Sequence, residues 1–347
     1  MSDNSALHPL LEQLAERKDL SQNLARDLFT HIMSGDATQA QIGGALMALR
    51  VKGETPEEIA GAVQAMRNLS TKVSVQAPHL VDTCGTGGSG LRKLFNVSTA
   101  AAIVAAASGA HVAKHGNRGI TGKSGSADVL EAAGVSLALT PEQIGRCISE
   151  VGVGFMFAPA HHSAIKHAMG PRRELGVRTI FNMIAPLTNP AGAKRQVIGV
   201  ANPEWAPRLA EVLKLLGSEH VLLVHAEGLD ELSIAGPSQV VELKDGKISN
   251  YEIKPEDVGL AEQSLDGLRA ESPADSLKLV RQALKESDSP AGGIVALNAG
   301  AAIYAAGVST TFTNGVKMAL DAIDSGLANE RLAELVRISK IMADPDA

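Results

Sequence analysis

Two glycine-rich stretches hold the residue types best suited to chemistry. The first reads Gly85-Thr86-Gly87-Gly88-Ser89-Gly90. The second runs Lys114-His115-Gly116-Asn117-Arg118-Gly119 and on through Gly122-Lys123-Ser124-Gly125-Ser126. Glycine has no Cβ, so its backbone amide can approach an anion closely. A helix pattern follows each stretch, and helix N-termini offer unpaired N–H groups and partial positive charge. Ser98, Thr99, Ser124 and Ser126 add hydroxyls at those helix starts. Between Leu91 and Ala127 there is no Asp or Glu, yet Arg92, Lys93, Lys114, Arg118 and Lys123 fall in that window. In a chain of net charge −6 this points to a site that must tolerate several negative charges. Two loops can hold two phosphate groups.

Several readings compete for the first loop. Gly85, Gly87 and Gly90 match GxGxxG, but the dinucleotide fingerprint needs an acid about 20 residues further on. None occurs before Asp128. A P-loop ends in GK[ST], and Gly90-Leu91-Arg92 does not supply it. What remains is a structural turn or a phosphate cradle of another kind. Other candidates are weaker. His161, His162 and His167 match no standard zinc spacing. Cys84 has no evident base beside it and reads as a packed thiol at a strand end.

The elements that must position these loops are legible in outline. The first 72 residues read as helices. Leu10, Leu11, Leu14 and Ala15 keep helical spacing, as do Ala25, Leu28, Phe29 and Ile32. Thr55-Pro56-Glu57-Glu58 is a helix start with a capping-box pattern. After Val75 the pattern changes to short strand, glycine loop and helix, repeated. Strands are expected at 79–83, 111–113, 196–200 and 220–225, and helices at 98–108, 127–133 and 204–216. This is an open parallel α/β sheet, whose ligands gather at the carboxyl ends of strands. Residues 240–253, with Asp245-Gly246 between apolar runs, predict a hairpin. Helices near 273–287, 291–306, 311–325 and 328–342 close the chain.

Composition narrows the function classes. With 347 residues, 45% of them apolar, the chain suits about two domains. The acidic balance argues against a general nucleic-acid binder, and 3% aromatics argues against a base-stacking platform. No apolar run reaches the roughly 18 residues of a membrane span. Met-Ser-Asp-Asn lacks the basic and apolar regions of a signal peptide, and only Cys84 and Cys147 are present. The expectation is a cytoplasmic protein without membrane or nucleic-acid partners.

Taken together, the motifs are more specific than any one loop. Asp82-Thr83-Cys84-Gly85-Thr86-Gly87-Gly88, Asn96-Val97-Ser98-Thr99-Ala100, Lys114-His115-Gly116-Asn117-Arg118 and Lys123-Ser124-Gly125-Ser126-Ala127-Asp128 recur in one family. So do Gly170-Pro171-Arg172-Arg173-Glu174-Leu175-Gly176, Pro186-Leu187-Thr188-Asn189-Pro190-Ala191 and Gly228-Leu229-Asp230-Glu231. Over nearly its whole length the chain resembles the anthranilate phosphoribosyltransferases. That family moves a phosphoribosyl group from PRPP to the amine of anthranilate and releases pyrophosphate, in tryptophan synthesis.

The resemblance implies a small all-helical domain packed on a large α/β domain with a central, mainly parallel sheet, the nucleoside phosphorylase/phosphoribosyltransferase arrangement. The helical domain would comprise 1–73 plus about 167–187, and the α/β domain 74–166 and 188–347. A homodimer through the helical domain is implied. Carried over by motif, Gly85, Thr86, Gly87, Gly88 and Ser89 would wrap the PRPP pyrophosphate. Asn96, Ser98, Thr99, Lys114 and Thr121 would bind the same donor. Ser98 would ligate one Mg²⁺, with Asp230 and Glu231 supporting a second; Mg²⁺ prefers oxygen ligands and commonly shares its site with phosphates. Arg172 would hold the anthranilate carboxylate, for which a planar guanidinium is suited. Gly85, Asn117, His115 and His162 would line the same pocket. No residue is assigned as a general base.

The chain departs from the family pattern in places. Ser89 stands where an Asp is usual, Leu91-Arg92-Lys93-Leu94-Phe95 is one residue longer than typical, and Ala185 replaces a common Gly. These departures keep two rivals open: a related phosphoribosyltransferase or nucleoside phosphorylase with another acceptor, and a non-catalytic paralogue that binds nucleic acid. Arg92 and Lys93 could replace the missing acid's work by direct charge contact. Ser89→Asp is therefore expected to shift the Mg²⁺ concentration that gives the best rate, and an unchanged Mg²⁺ titration counts against that role.

Overall fold

The computed structural model describes residues 4–87, 94–119 and 124–344. Four helices come first: α1 (His8–Ala15), α2 (Gln22–Ser34), α3 (Gln39–Lys52) and α4 (Pro56–Asn68). The starts of α2, α3 and α4 are set by side-chain caps. Ser21 Oγ accepts from the Leu24 amide, Thr38 and Gln41 form a capping box, and Thr55 and Glu58 form another. Helices α2 and α4 cross at Gly61, where a Cβ would sit 2.4 Å from the Gln22 carbonyl.

The α/β part then alternates β1 (Leu80–Gly85), α5 (Val97–Ala107), β2 (His111–Gly116), α6 (Ser126–Ala133), α7 (Pro141–Arg146) and β3 (Val153–Phe157). Three helices interrupt the sheet: α8 (Ala158–His161), α9 (Lys166–Leu175) and α10 (Phe181–Ile184). The sheet resumes with β4 (Arg195–Gly199), α11 (Trp205–Leu215), β5 (His220–His225), β6 (Ser238–Lys244) and β7 (Lys247–Ile253). The chain closes with α12 (Pro273–Ala283), α13 (Pro290–Ala306), α14 (Phe312–Asp324) and α15 (Leu327–Ala343).

The strand order is β3-β2-β1-β4-β5-β6-β7, with the first four pairings parallel and the last two, β5–β6 and β6–β7, antiparallel. The mainly parallel α/β architecture is thus as expected. Asp245 and Gly246, both at positive φ, make the two-residue turn between β6 and β7 that the sequence predicts. Two differences stand out. Strand β3 was not expected, because Gly152 and Gly154 break its apolar run. Helix α12 ends at Ala283 rather than near 287: the chain turns there, and the Glu286 carbonyl lies where a Cβ on Gly292 would be, 1.9 Å away.

Side chains of the buried strands alternate between two cores. Leu222 and Val224 of β5 join the core around α5 and α13, while Val221 and Leu223 face the opposite way. That second core is continuous with the helical bundle. It unites Phe29, Ile42 and Ile59 with Phe181, Ile184 and Leu187, then with Leu209 and Leu213 of α11. Phe29 and Phe181 meet edge to face at 5.7 Å.

Glu58 ties the start of the bundle. It is fully buried, accepts from the Leu20 and Thr55 amides at 2.9 Å each, and pairs with Lys52 at 2.9 Å. Glu58→Ala removes one partner of a buried pair and strands two amides. Urea unfolding is expected to show a loss of about 3 kcal/mol.

Candidate active site

A cavity of about 400 Å³ opens at the carboxyl ends of β1, β2 and β4. Gly85 ends β1 and Gly199 ends β4, and the segment after β5 lies directly on them. A Cβ on Gly85 would stand 2.9 Å from Asp230 Oδ2, and one on Gly199 only 1.6 Å from the Asp230 carbonyl. No other residue fits at either strand end without moving Asp230 and Glu231. Beyond Gly85, the Thr86 amide donates to the Gly199 carbonyl at 2.8 Å and Thr86 Oγ1 accepts from the Ala201 amide at 3.1 Å. Gly87 takes φ 65°, in the left-handed region.

Helix α5 points its N-terminus into this cavity. The Ser98 amide donates to Glu231 Oε1 at 3.2 Å, so a carboxylate occupies the positive end of the helix. Lys114, from β2, reaches the same spot. Its Nζ donates to the Thr83 carbonyl at 2.5 Å and lies 3.4 Å from Ser98 Oγ. Burial and the neighbouring Asp230 carboxylate push the Glu231 carboxyl up to about 8, against the pull of Lys114 and the Ser98 amide. Burial likewise lowers the Lys114 ammonium, and Asp82, Cys84 and Glu231 oppose that.

Asp230, Glu231 and Ser98 therefore offer hard oxygen donors to a pocket where, among the described residues, Lys114 is the cation that faces the two carboxylates. Among the described residues, no group of three His, Cys, Asp or Glu could hold a metal. The donor set of two carboxylates and a hydroxyl fits Mg²⁺, which commonly takes one or two carboxylates and completes its shell with water and phosphate.

The second loop is pinched at its base. Asp128 Oδ2 accepts from the Gly119 and Gly125 amides at 2.9 and 2.8 Å, and a Cβ on Gly125 would meet the Gly119 nitrogen at 2.4 Å. Arg118 is committed elsewhere, paired with Asp128 and Glu131 and lying 5.6 Å over the Phe157 ring. Of the cations in the acid-free window, Lys114 alone among the described residues faces the carboxylates.

The cavity brings together Gly85, Thr86, Gly87, Asn96, Ser98, Lys114, His115, Asn117, Asp230 and Glu231. Gly88, Ser89 and Thr121 lie outside the described residues. Three expected residues do not line it. Thr99 is buried one residue further along α5, its hydroxyl unpartnered. His162 lies behind His115, the rings 5.0 Å apart. Arg172 lays its guanidinium 4.9 Å over Phe181, with one nitrogen 3.7 Å from Met169 sulfur. From the helical side the cavity is walled by Asn182, Arg178 and Trp205, with Arg178 5.7 Å over the indole. Sequence reading gave these three no role, although Arg178 and Asn182 stand in Arg178-Thr179-Ile180-Phe181-Asn182, a stretch that continues the family resemblance, and Trp205 is the only tryptophan. The Cys84 thiol, raised well above 9 by burial, is held as a packed group and not as a thiolate. A neighbouring hollow of about 540 Å³, bordered by Glu227, Asp266 and Arg269, shares only Leu94 and Leu229 with the cavity and gathers none of this chemistry.

Known proteins share this architecture and its sequence. Residues 8–70 match the helical bundle domain of a glycosyl transferase family, and residues 77–329 match its a/b domain. The anthranilate phosphoribosyltransferase of Hahella chejuensis is 58% identical over 334 residues, 95% of this chain and 96% of that protein. The chain belongs to the anthranilate phosphoribosyltransferases. The structure of the anthranilate phosphoribosyltransferase from Thermus thermophilus is 42% identical, covers 95% of this chain and 99% of its own, and superposes with a TM-score of 0.89. The anthranilate phosphoribosyltransferase from Saccharomyces cerevisiae, in complex with PRPP and Mg, is 26% identical with a TM-score of 0.86, covering 98% and 99% of the two chains.

Two buried histidines give this member of the family a pH signature. Burial lowers the His115 ring to about 3 and the His162 ring to about 4, each from 6.5. The unfolded chain takes up those protons near 6.5 and the folded chain does not, so stability falls as pH drops below 6.5 until the folded rings titrate. Removing one such ring removes about 1.4 kcal/mol per pH unit of slope. His162→Gln is expected to flatten the loss of unfolding free energy between pH 6 and 4.5 by about that amount; an unchanged slope would refute it.

Proposed function

We propose that this chain transfers the phosphoribosyl group of PRPP to the amine of anthranilate, giving N-(5-phosphoribosyl)anthranilate and pyrophosphate in tryptophan synthesis. One observation supports it above the others: Asp230, Glu231, Ser98 and Lys114 converge on the N-terminus of α5 beside glycine-ended strands. The names of the relatives described above agree with this reading rather than with the nucleoside phosphorylase or nucleic-acid alternatives.

In this reading the backbone from Gly85 to Gly87 lies along the pyrophosphate, with the Thr86 amide held by the Gly199 carbonyl, and Gly88 and Ser89 continue the wrap. Lys114 adds the positive charge that the departing group needs as the bond to ribose C1 breaks. Asn96 and Ser98 border the donor in the cavity, and Thr99 and Thr121 keep their assignments to it from the family motif. Mg²⁺, when bound, neutralises phosphate charge and draws electrons toward the leaving group. Ser98 would hold one ion, with Asp230 and Glu231 supporting a second.

The amine of anthranilate attacks ribose C1 from the opposite face, and its proton leaves to solvent after the bond forms. His115 is neutral at physiological pH, and the reaction needs placement of two substrates more than a strong base. Asn117, His115 and Gly85 would border the acceptor, with His162 behind. Arg172 keeps its assignment to the carboxylate as a proposal, and Arg178 stands nearer the cavity as a second guanidinium.

The helical domain would comprise 1–73 with about 167–187, and 74–166 with 188–347 would form the donor-binding domain. Exposed apolar side chains on the bundle, Leu24 and Val51, support a homodimer through that domain. Among the described residues no helix is long and apolar enough to cross a membrane.

The test is loss of anthranilate fluorescence on adding PRPP, with and without Mg²⁺. Turnover that needs both is expected. Lys114→Met should lower kcat by about 100-fold, as loss of one electrostatic donor does. No turnover by the wild-type chain, or full activity in Lys114→Met, would refute the reading.

A further inference from the structure

Asn96 is the N-cap residue of α5, where an Asn side-chain oxygen ordinarily accepts from the helix's own amides. It makes no such bond. Its Oδ1 accepts from Ser276 Oγ at 2.7 Å and from Ser124 Oγ at 2.8 Å, and its backbone N–H donates to Ser276 Oγ at 3.0 Å. Ser276 belongs to the first turn of α12, 180 residues further along the chain, and is fully buried.

This bonding fixes which way the amide faces. Ser276 Oγ accepts one proton from the Asn96 backbone and has one of its own to donate; Asn96 Oδ1 is its acceptor. Reversing the amide would put Nδ2 against both hydroxyls and leave the Ser276 proton without an acceptor. The NH2 group therefore lies on the other side. There it has no hydrogen-bond partner among the described residues, and Asn96 is part of the cavity wall.

We propose that Ser276 is a positioning residue for the phosphoribosyl donor: with Ser124 it pins the Asn96 amide so that its NH2 points into the cavity as a donor to a phosphate or ribose oxygen. This rests on the cavity being the PRPP site. Helix α12 carries none of the glycine-loop motifs, yet it sets one of their hydrogen-bond donors. The role differs from simple packing because it runs through one atom pair and concerns only one of the two substrates.

The experiment is steady-state kinetics with both substrates varied, beside calorimetry of PRPP binding in Mg²⁺. Ser276→Ala is expected to raise KM for PRPP about five- to tenfold, the worth of one orienting hydrogen bond. It should leave kcat and KM for anthranilate within twofold. In an Asn96→Ala background the same substitution should change nothing further. An equal rise in both KM values, or the same factor in the Asn96→Ala background, overturns the proposal.

Asn96→Asp keeps an oxygen for both hydroxyls and sets an anion where the NH2 was. It should weaken PRPP binding more than Asn96→Ala does, and binding as tight as that of Asn96→Ala overturns the proposal even where Ser276→Ala fails to fold. Wild-type protein that does not bind PRPP would remove the functional reading as well. Normal wild-type binding with unaffected variants would remove only the role of Ser276.

Discussion

Everything at the cavity depends on one close approach: Asp230 lies against the glycine ends of two adjacent parallel strands, its backbone on Gly199 and its carboxylate on Gly85. Gly85 and Gly199 have no side chains to hold it off. The consequence is electrostatic. Two carboxylates are carried to the positive end of α5 and within reach of a buried lysine, in a place where solvent screens them poorly. Burial raises Glu231 and lowers Lys114, so neither group holds its charge as readily as it would in water. A metal–phosphate group suits such a place, and the four groups, Asp230, Glu231, Ser98 and Lys114, are drawn from the turn after β5, from α5 and from β2.

The scaffold around this point is stiffened by buried polar links between its layers. Asp82, beneath the cavity, accepts the His115 amide and lies 3.4 Å from Gln196 Nε2, which also donates to the Pro186 carbonyl. The sheet is thereby tied to the chain that returns from the helical bundle. Asp128 does the same for the second loop, joining its two ends through one carboxylate oxygen.

Much of this was legible in the residues themselves. Thr55 and Glu58 announce a helix start because capping is local, and Asp245-Gly246 announces a turn because few other pairs tolerate two positive φ values. The glycine loops announced an anion site for a similar reason, their physics being that of short backbone. What was not legible is what depends on distance. Arg172 and Arg178 lie only six residues apart, and the path of the chain after α9 decides that Arg178 stacks on Trp205 at the cavity while Arg172 stacks on Phe181 away from it. Arg118 reads as a free cation until Glu131, on α6, is seen to hold it. Strand β3 is only five residues long with Gly154 at its second position, so its period does not show.

The route of the chain has a further consequence. The core of the bundle is finished by a segment from the middle of the sequence, with Phe181 closing over Phe29. On a ribosome the first four helices emerge without that cover, and at the usual pace of synthesis they wait roughly ten seconds for it. During that interval the apolar faces that Phe181, Ile184 and Leu187 later cover stay open to neighbouring chains.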